Sequence, residues 1–322
     1  MPVRIAFVGS GGIAGAHLEA LQKIEQAKVA ALCDVSEERV KQMASKYKAK
    51  AYTDHQEMLQ KEEIQALYVC TPPFAHTDAE IIAAQKGIHL FVEKPVAINL
   101  EKAIEIRGAI EKAGVVNSVG YQWRYLSRAD KLKEVLADQE IGMVLGWWLG
   151  GLPGVPWWRV MRESGGQMHE QTTHIIDFAR YVAGDIEEVY AAYALRALKD
   201  TANLDVPDVG TATVKFKSGA VGAISNTCMV SGYGTAGVRV ICRDLFCSLE
   251  GDSLLVVRKG QKEESKGDAD VRILQNQAFI NAITTGDRSG IKSSYADAVK
   301  SLAVSLAANE SADTGRPARV AV

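Results

Sequence analysis

The stretch Val3-Arg4-Ile5-Ala6-Phe7-Val8-Gly9-Ser10-Gly11-Gly12-Ile13-Ala14-Gly15 decides how this chain is read. Val3–Val8 is the short apolar run of a strand buried on both faces in a parallel sheet, and Ile13–Ile24 carries helical spacing. Between them lies a G-x-G-x-x-A turn. In that strand-turn-helix setting Gly9 allows the tight turn, Gly11 lets the backbone approach a pyrophosphate, and small Ala14 lets helix and strand pack closely. Gly12 and Ile13 complete the set of expected nucleotide contacts, with the anion resting on unpaired N–H groups at the helix N-terminus. A glycine cluster alone would be no more than a flexible turn. Asp34 adds the weight: it follows a second strand, Lys28–Cys33, about twenty residues beyond Gly15, where a carboxylate accepts hydrogen bonds from both ribose hydroxyls of adenosine. The same carboxylate repels the extra phosphate of NADP, so the reading favours NAD. Arg39 tempers it, since one turn into the next helix it either reaches such a phosphate or pairs with Glu38 or another neighbour.

Working outward, the chain has 322 residues, 47% hydrophobic and 24% charged, the profile of an ordinary globular protein. At that size single cores divide, so about two domains are expected. Thirty-seven Lys and Arg against 39 Asp and Glu give a net charge of −2, with no basic cluster to neutralise a phosphate backbone, which argues against nucleic-acid binding. The longest uncharged run, Ile141–Trp158, carries five Gly and two Pro and would break up as a membrane span. The chain enters its first strand without a basic leader, so no signal peptide is expected. Five cysteines, odd in number and without CxxC spacing, fit buried thiols of a cytoplasmic protein better than disulfides or a zinc site.

Through about Gln122 the pattern alternates strand and helix. Strands are expected at Ala66–Cys70, His89–Val92 and Val115–Val119. Helices are expected at Ser36–Tyr47, capped by Ser36, and around Ala75–Lys86 and Leu100–Ala113. Right-handed crossovers then give a doubly wound parallel sheet with its sites at the strand C-termini. Residues 1–122 are accordingly assigned to a dinucleotide-binding domain. Residues 123–322 are assigned to a substrate-binding and oligomerisation domain, whose last helices are allowed to pack back on the first. There a helix at Arg128–Ala137 and another near Glu170–Val182 lead into alternating strands from Glu187 to Val257, which implies hairpins and an open, mostly antiparallel sheet in an α+β domain. Lys217-Ser218-Gly219 and Glu250-Gly251-Asp252 read as turns, Lys259–Asp270 as a charged loop, and Val271–Thr285 and Tyr295–Asn309 as closing helices.

Two constellations carry candidate chemistry. Glu93-Lys94-Pro95 ends the strand His89–Val92, where Pro95 disfavours helical geometry at Lys94 and holds it toward the crevice; a cis Lys94-Pro95 bond would aim the amine differently. The second is Gly165–Asp177. If it is helical from Gln167, Glu170 and His174 share a face, where a neutral imidazole accepts the proton of an alcohol undergoing oxidation and the carboxylate orients it. A surface Glu/His pair on an amphipathic helix is the plainer account, and Asp177 falls on an adjacent face suited to structural pairing. No HExxH or further ligand set nominates a metal. All five tryptophans lie between Trp123 and Trp158. Trp158, in a Gly/Pro-rich loop, either stacks on a sugar ring or packs; Trp147 and Trp148 sit in a strand that sends them to opposite faces. Arg124 and Tyr125 are within reach of the crevice, although an ion pair competes for the arginine. His17 reads as a surface or packing residue, and His169 has no assigned role.

Taken in order, the glycine turn, Thr71-Pro72-Pro73-Phe74-Ala75-His76, Glu93-Lys94-Pro95, Tyr121–Tyr125 and Gly165-Gly166 followed by Glu170 and His174 resemble the Gfo/Idh/MocA oxidoreductases. The resemblance implies a Rossmann domain, a second α/β domain whose open sheet forms a homodimer or homotetramer, and hydride transfer between a nicotinamide and a carbinol carbon of a sugar, cyclitol or related polyol. It also implies that Lys94 and His174 are catalytic, with Glu170 beside them, and that Thr71, Pro72, His76 and Glu93 line the nucleotide. Lys94, Arg124, Tyr125, Trp158, Glu170 and His174 become the expected substrate contacts. The roles of Lys94 and His174 in carrying the proton stay interchangeable. The chain departs from the family at Glu170, where Asp is common, and at Thr172, where Gly is. The alternatives are a non-catalytic dinucleotide sensor, or an imine-reducing or lyase-type relative that uses transient oxidation. The redox reading depends on the Lys94 amine and the His174 imidazole converging on the nicotinamide.

Overall fold

A computed structural model describes residues 1–267 and 270–321. The chain divides into two compact units, one made of residues 1–97, 101–122 and 270–298, the other of 98–100, 123–269 and 299–322.

In the first unit, β1 (Val3–Val8), α1 (Gly12–Leu21), β2 (Ala27–Cys33), α2 (Glu37–Tyr47), β3 (Lys50–Tyr52), α3 (His55–Lys61), β4 (Ala66–Val69), α4 (Ala79–Gln85), β5 (His89–Val92), α5 (Leu100–Ala113) and β6 (Asn117–Val119) alternate throughout. The six strands order as β3-β2-β1-β4-β5-β6 and every pair is parallel. The order reverses between β1 and β4, and such a switch opens a crevice at the strand C-termini. Ser36 caps α2 by accepting the Arg39 N–H, and Asp54 caps α3 with two backbone N–H groups. The short β3 and α3 have no counterpart among the sequence expectations, and the helix expected from Ala75 begins at Ala79 after a single 3-10 turn. The core is aromatic: Tyr68 stacks on Phe7 and Phe91 at 4.7 Å each, and Phe279 meets Tyr68 and Phe91 edge-on.

The second unit contains α6 (Ser127–Leu136), β7 (Ile141–Leu149), α7 (Met161–Ser164), α8 (Gln167–Glu170), α9 (Thr173–Ala183), β8 (Ile186–Ala194), β9 (Val209–Phe216), β10 (Val221–Thr227), β11 (Thr235–Cys242), β12 (Leu245–Glu250), β13 (Ser253–Arg258) and β14 (Gln261–Lys266). In chain order α10 (Val271–Thr285) follows, which belongs to the first unit and packs there on α1 and β1, then α11 (Tyr295–Thr314), most of it in the second unit, and β15 (Ala318–Arg319). Nine strands order as β14-β13-β12-β11-β7-β10-β9-β8-β15, antiparallel except for β7 beside β10. Gly146 lets α9 lie close on the sheet, since a Cβ there would sit 2.4 Å from Ile175 Cγ2. Alternate residues face away from the helices, so Met143, Tyr190 and Val221 stand exposed on the other face.

Two expectations are corrected here. The charged segment Lys259–Asp270 is not all loop: Gln261–Lys266 pairs antiparallel with β13, and an edge strand can be polar because little covers it. Nor is Gln167–Asp177 one helix. Gln171 and Thr172 interrupt it, the Thr172 N–H reaching back to the Gln167 carbonyl and the Thr172 hydroxyl accepting from Asn226 Nδ2 at 3.1 Å. No helix among the described residues is long and apolar enough to cross a membrane.

Candidate active site

In the first unit, the candidate nucleotide residues lie at the C-terminal ends of β1, β2, β4 and β5. Gly9 adopts φ +90°, and a Cβ on it would lie 2.4 Å from the Cys70 carbonyl oxygen, so the tight turn requires glycine. Gly11 and Gly12 face open space, and Ala14 is wholly buried between helix and sheet. At its start α1 has neither a side-chain cap nor an acidic residue, which leaves backbone N–H groups for an anion. Asp34 is already engaged: Oδ2 accepts from the Ser10 N–H and hydroxyl at 2.8 and 2.9 Å, while Oδ1 accepts from the Ser36 N–H at 2.9 Å and meets Arg39 at 3.2 Å. Arg39 therefore pairs with Asp34 rather than Glu38.

Thr71 and Pro72 follow β4, and the buried Thr71 hydroxyl has no hydrogen-bond partner there. These features fit a dinucleotide: an open glycine cradle, a helix start with free donors, a carboxylate after the second strand and an orphaned hydroxyl after the fourth. Ile13, expected at the nucleotide, is exposed, and beside it sequence reading missed two further exposed apolar side chains, Val35 and Phe74, of which Val35 is 93% exposed. His76 is turned inward, its ring paired with Glu80 on α4 and both side chains buried. Glu93 is buried too, accepting from His17 Nε2 at 2.8 Å and from the Lys94 N–H at 3.1 Å. Lys94 itself is half-buried, and its bond to Pro95 is cis.

In the second unit, the positive φ values of Gly165 and Gly166, +72° and +82°, turn the chain into α8. A Cβ at Gly165 would strike the His169 ring, so His169, whose Nδ1 meets Ser305 Oγ at 3.0 Å, packs as part of this turn. Although the helix breaks between them, Glu170 and His174 each gain an aromatic neighbour. Trp158 Nε1 donates to Glu170 Oε2 at 2.8 Å, and the Trp148 and His174 rings stack with centroids 5.7 Å apart at 18°.

Trp158 is 1% exposed and packs with Val206 and Cys228, so it supports Glu170 and offers no open face for a sugar. Alternation in β7 sends Trp148 toward α9 and Trp147 to the opposite face, where Arg239 covers it at 4.9 Å. Arg124 is also withdrawn from the substrate-binding set: buried, it grips Asp177 through Nε and Nη2 at 2.7 and 2.6 Å and lies over Tyr181. Burial pushes the Asp177 carboxyl up from its ordinary value against the pull of that guanidinium. Tyr125 is buried beside it in the chain. The Trp148 stack and the Trp158 contact join residues distant in sequence, and only the clustering of tryptophans hinted at them. Among the described residues no three His, Cys, Asp or Glu side chains gather as a metal would need.

Comparison with known proteins places this geometry. A profile described as an oxidoreductase family with an NAD-binding Rossmann fold, Gfo/Idh/MocA, matches residues 3–121, and the Gfo/Idh/MocA C-terminal domain matches 129–244. Myo-inositol 2-dehydrogenase of Thermotoga maritima is 32% identical over 228 residues, 70% of this chain and 68% of that protein. D-glucoside 3-dehydrogenase of Escherichia coli is 28% identical over 191 residues, 57% of this chain and 54% of its own. Among solved structures, levoglucosan dehydrogenase in complex with NADH superposes with a TM-score of 0.88 at 20% identity, covering 100% of both chains, which establishes the shared fold. The glycine turn with Asp34, the parallel sheet of reversed order, the antiparallel second unit and this sequence kinship lead to one conclusion: the chain belongs to the Gfo/Idh/MocA family and is an NAD-dependent oxidoreductase.

Proposed function

We propose that the chain is a dehydrogenase that oxidises one CH–OH carbon of a sugar, cyclitol or related polyol. The carrying observation is its kinship, at 32% identity over 70% of the chain, with a myo-inositol 2-dehydrogenase, together with the presence of Lys94 and His174 where the family resemblance implies catalytic residues. NAD, when bound, supplies the hydride acceptor. His174, its ring held against Trp148, takes the hydroxyl proton on its imidazole. Lys94 donates a hydrogen bond to the oxygen as charge develops on it; the two residues are able to exchange these tasks. Glu170, steadied by Trp158, receives a neighbouring hydroxyl of the substrate or orients the imidazole. Asp34 favours NAD over NADP.

The functional division falls at residues 122 and 123, nucleotide before and substrate after. The open face of the nine-stranded sheet serves a homodimer or homotetramer, and five buried free thiols suit the cytoplasm. The test is NADH formation with a panel of myo-inositol, aldoses, glucosides and anhydro sugars. Turnover of one member, lost in both Lys94→Ala and His174→Ala while NADH still binds, supports the reading; full turnover in either variant removes that residue from the chemistry. A second reading comes from 2,7-anhydro-N-acetylneuraminate hydratase of Mediterraneibacter gnavus, 26% identical over 193 residues. Under it, substrate gains or loses water without net NADH, which product analysis by mass separates.

A further inference from the structure

The reaction chemistry leaves His17 unused, yet its setting is unusual for a packing residue. It lies in α1, just beyond the glycine turn, 1% exposed, with its ring 5.6 Å from that of Tyr68 and 4.8 Å from that of Phe91. A wall of aromatic rings gives no reason to keep a polar ring there; the partners of its two nitrogens do. Asn276 Nδ2, on α10, lies 3.0 Å from His17 Nδ1 and donates to the Arg272 carbonyl at 2.7 Å. Nδ1 also lies 3.2 Å from Asn276 Oδ1, so the tautomer is fixed on the other side of the ring, by a carboxylate that only accepts. The ring hydrogen is then on Nε2, 2.8 Å from Glu93 Oε1. The other carboxylate oxygen of Glu93 accepts the Lys94 backbone N–H at 3.1 Å. Gly120 closes the opposite side, since a Cβ there would fall 2.4–2.5 Å from the carboxylate atoms.

We propose that His17 is a positioning residue for Lys94. Through Glu93 it fixes the peptide from which the Lys94 amine is launched and ties that peptide to α1, the helix that follows the glycine turn. The catalytic consequence rests on Lys94 acting as proposed above. A carboxylate this buried keeps its place only while hydrogen-bonded. Without the ring N–H, Oε1 loses its donor, Glu93 swings, and the Lys94 peptide moves with it.

Three variants test this. His17→Leu removes the donor, His17→Gln keeps an N–H near the Nε2 position, and Gly120→Ala presses on the carboxylate from the far side. Amide hydrogen exchange read by mass spectrometry on overlapping peptides that end at Pro95 and at Val96 reports the Lys94 N–H apart from that of Val96 and without any substrate, Pro95 having none. Exchange there should accelerate roughly tenfold or more in His17→Leu and Gly120→Ala, stay near wild type in His17→Gln, and leave β1 protected in all three. With myo-inositol as the probe substrate, kcat in His17→Leu should fall about 10- to 100-fold while the KM for NAD changes less than about threefold, and the isotope effect on hydride transfer should rise. Unchanged exchange at Lys94 in a folded His17→Leu protein overturns the proposal. So does a His17→Gln protein as impaired as His17→Leu. If wild-type protein turns over no member of the polyol panel, the proposed reaction fails, and the exchange comparison still decides the positioning.

Discussion

Asp34 sits among four donors that remain if its carboxylate is removed: the Ser10 N–H and hydroxyl, the Ser36 N–H and the Arg39 guanidinium. That set suits a phosphate. Asp34→Ser should therefore shift the ratio of kcat/KM for NAD over that for NADP by roughly 10- to 100-fold toward NADP, the loss of ribose contacts and of charge repulsion acting together. Parallel turnover assays with both coenzymes measure it, and an unchanged ratio would show that Asp34 does not govern the choice. Trp158→Phe deletes the donor to Glu170 while keeping most of the apolar volume. A carboxylate oxygen losing such a partner costs about 1–3 kcal/mol, so kcat/KM for the polyol should drop about tenfold with the KM for NAD little changed. An equal change in both KM values would point to general damage. The glycine turn and Asp34 were legible because their meaning is local, set by a positive φ, a missing Cβ and a fixed spacing. The His17–Glu93 and Trp158–Glu170 contacts were not, because a side chain's partner is chosen by the fold; His17 and Glu93 are separated by 76 positions in sequence.

At the scale of elements, Asp208 shows how one side chain organises the link between β8 and β9. Its carboxylate accepts the N–H groups of Arg196, Ala197 and Leu198 at 2.8, 2.7 and 2.8 Å. Burial raises its pKa, but those three donors outweigh it and hold the group below the usual carboxylate value. A folded value below the unfolded one adds stability above about pH 4, and this is lost as pH falls through the folded value. Asp208→Asn should then cost roughly 1–3 kcal/mol near neutrality, with the gap to wild type narrowing as the pH is lowered past about 4. Denaturant titrations at several pH values read this, and a pH-independent gap would rule out the charge as its source. The main strands and helices were visible through their periodicity. The interruption at Gln171 and Thr172 was not, because Asn226 on β10 holds the Thr172 hydroxyl and no local propensity announces that contact. β14 escaped notice for a related reason: Lys262, Glu263, Glu264 and Lys266 show no apolar face, and its strand character comes from pairing with β13.

For the whole molecule, the face of the large sheet turned away from its helices presents Met143, Tyr190 and Val221 at 41%, 49% and 45% exposure. Scattered apolar residues are normal on a surface, but these three share one sheet face and stand exposed on it among the described residues. Light scattering should report a dimer or tetramer for the wild-type chain. The double variant Tyr190→Glu, Val221→Glu should run as a monomer with its circular dichroism unchanged; a wild-type monomer would remove this face from any role in assembly. The sheet's two margins have a separate consequence. One is the charged β14 and the other is only the two residues of β15, where Arg319 meets Glu188. Neither offers the long, bare, apolar ladder on which a further chain could be laid. Sideways extension of this sheet into ribbons is thus disfavoured at both rims, and under the assembly proposed above copies would pair broadside, a pairing that uses up the surface that made it and comes to a halt.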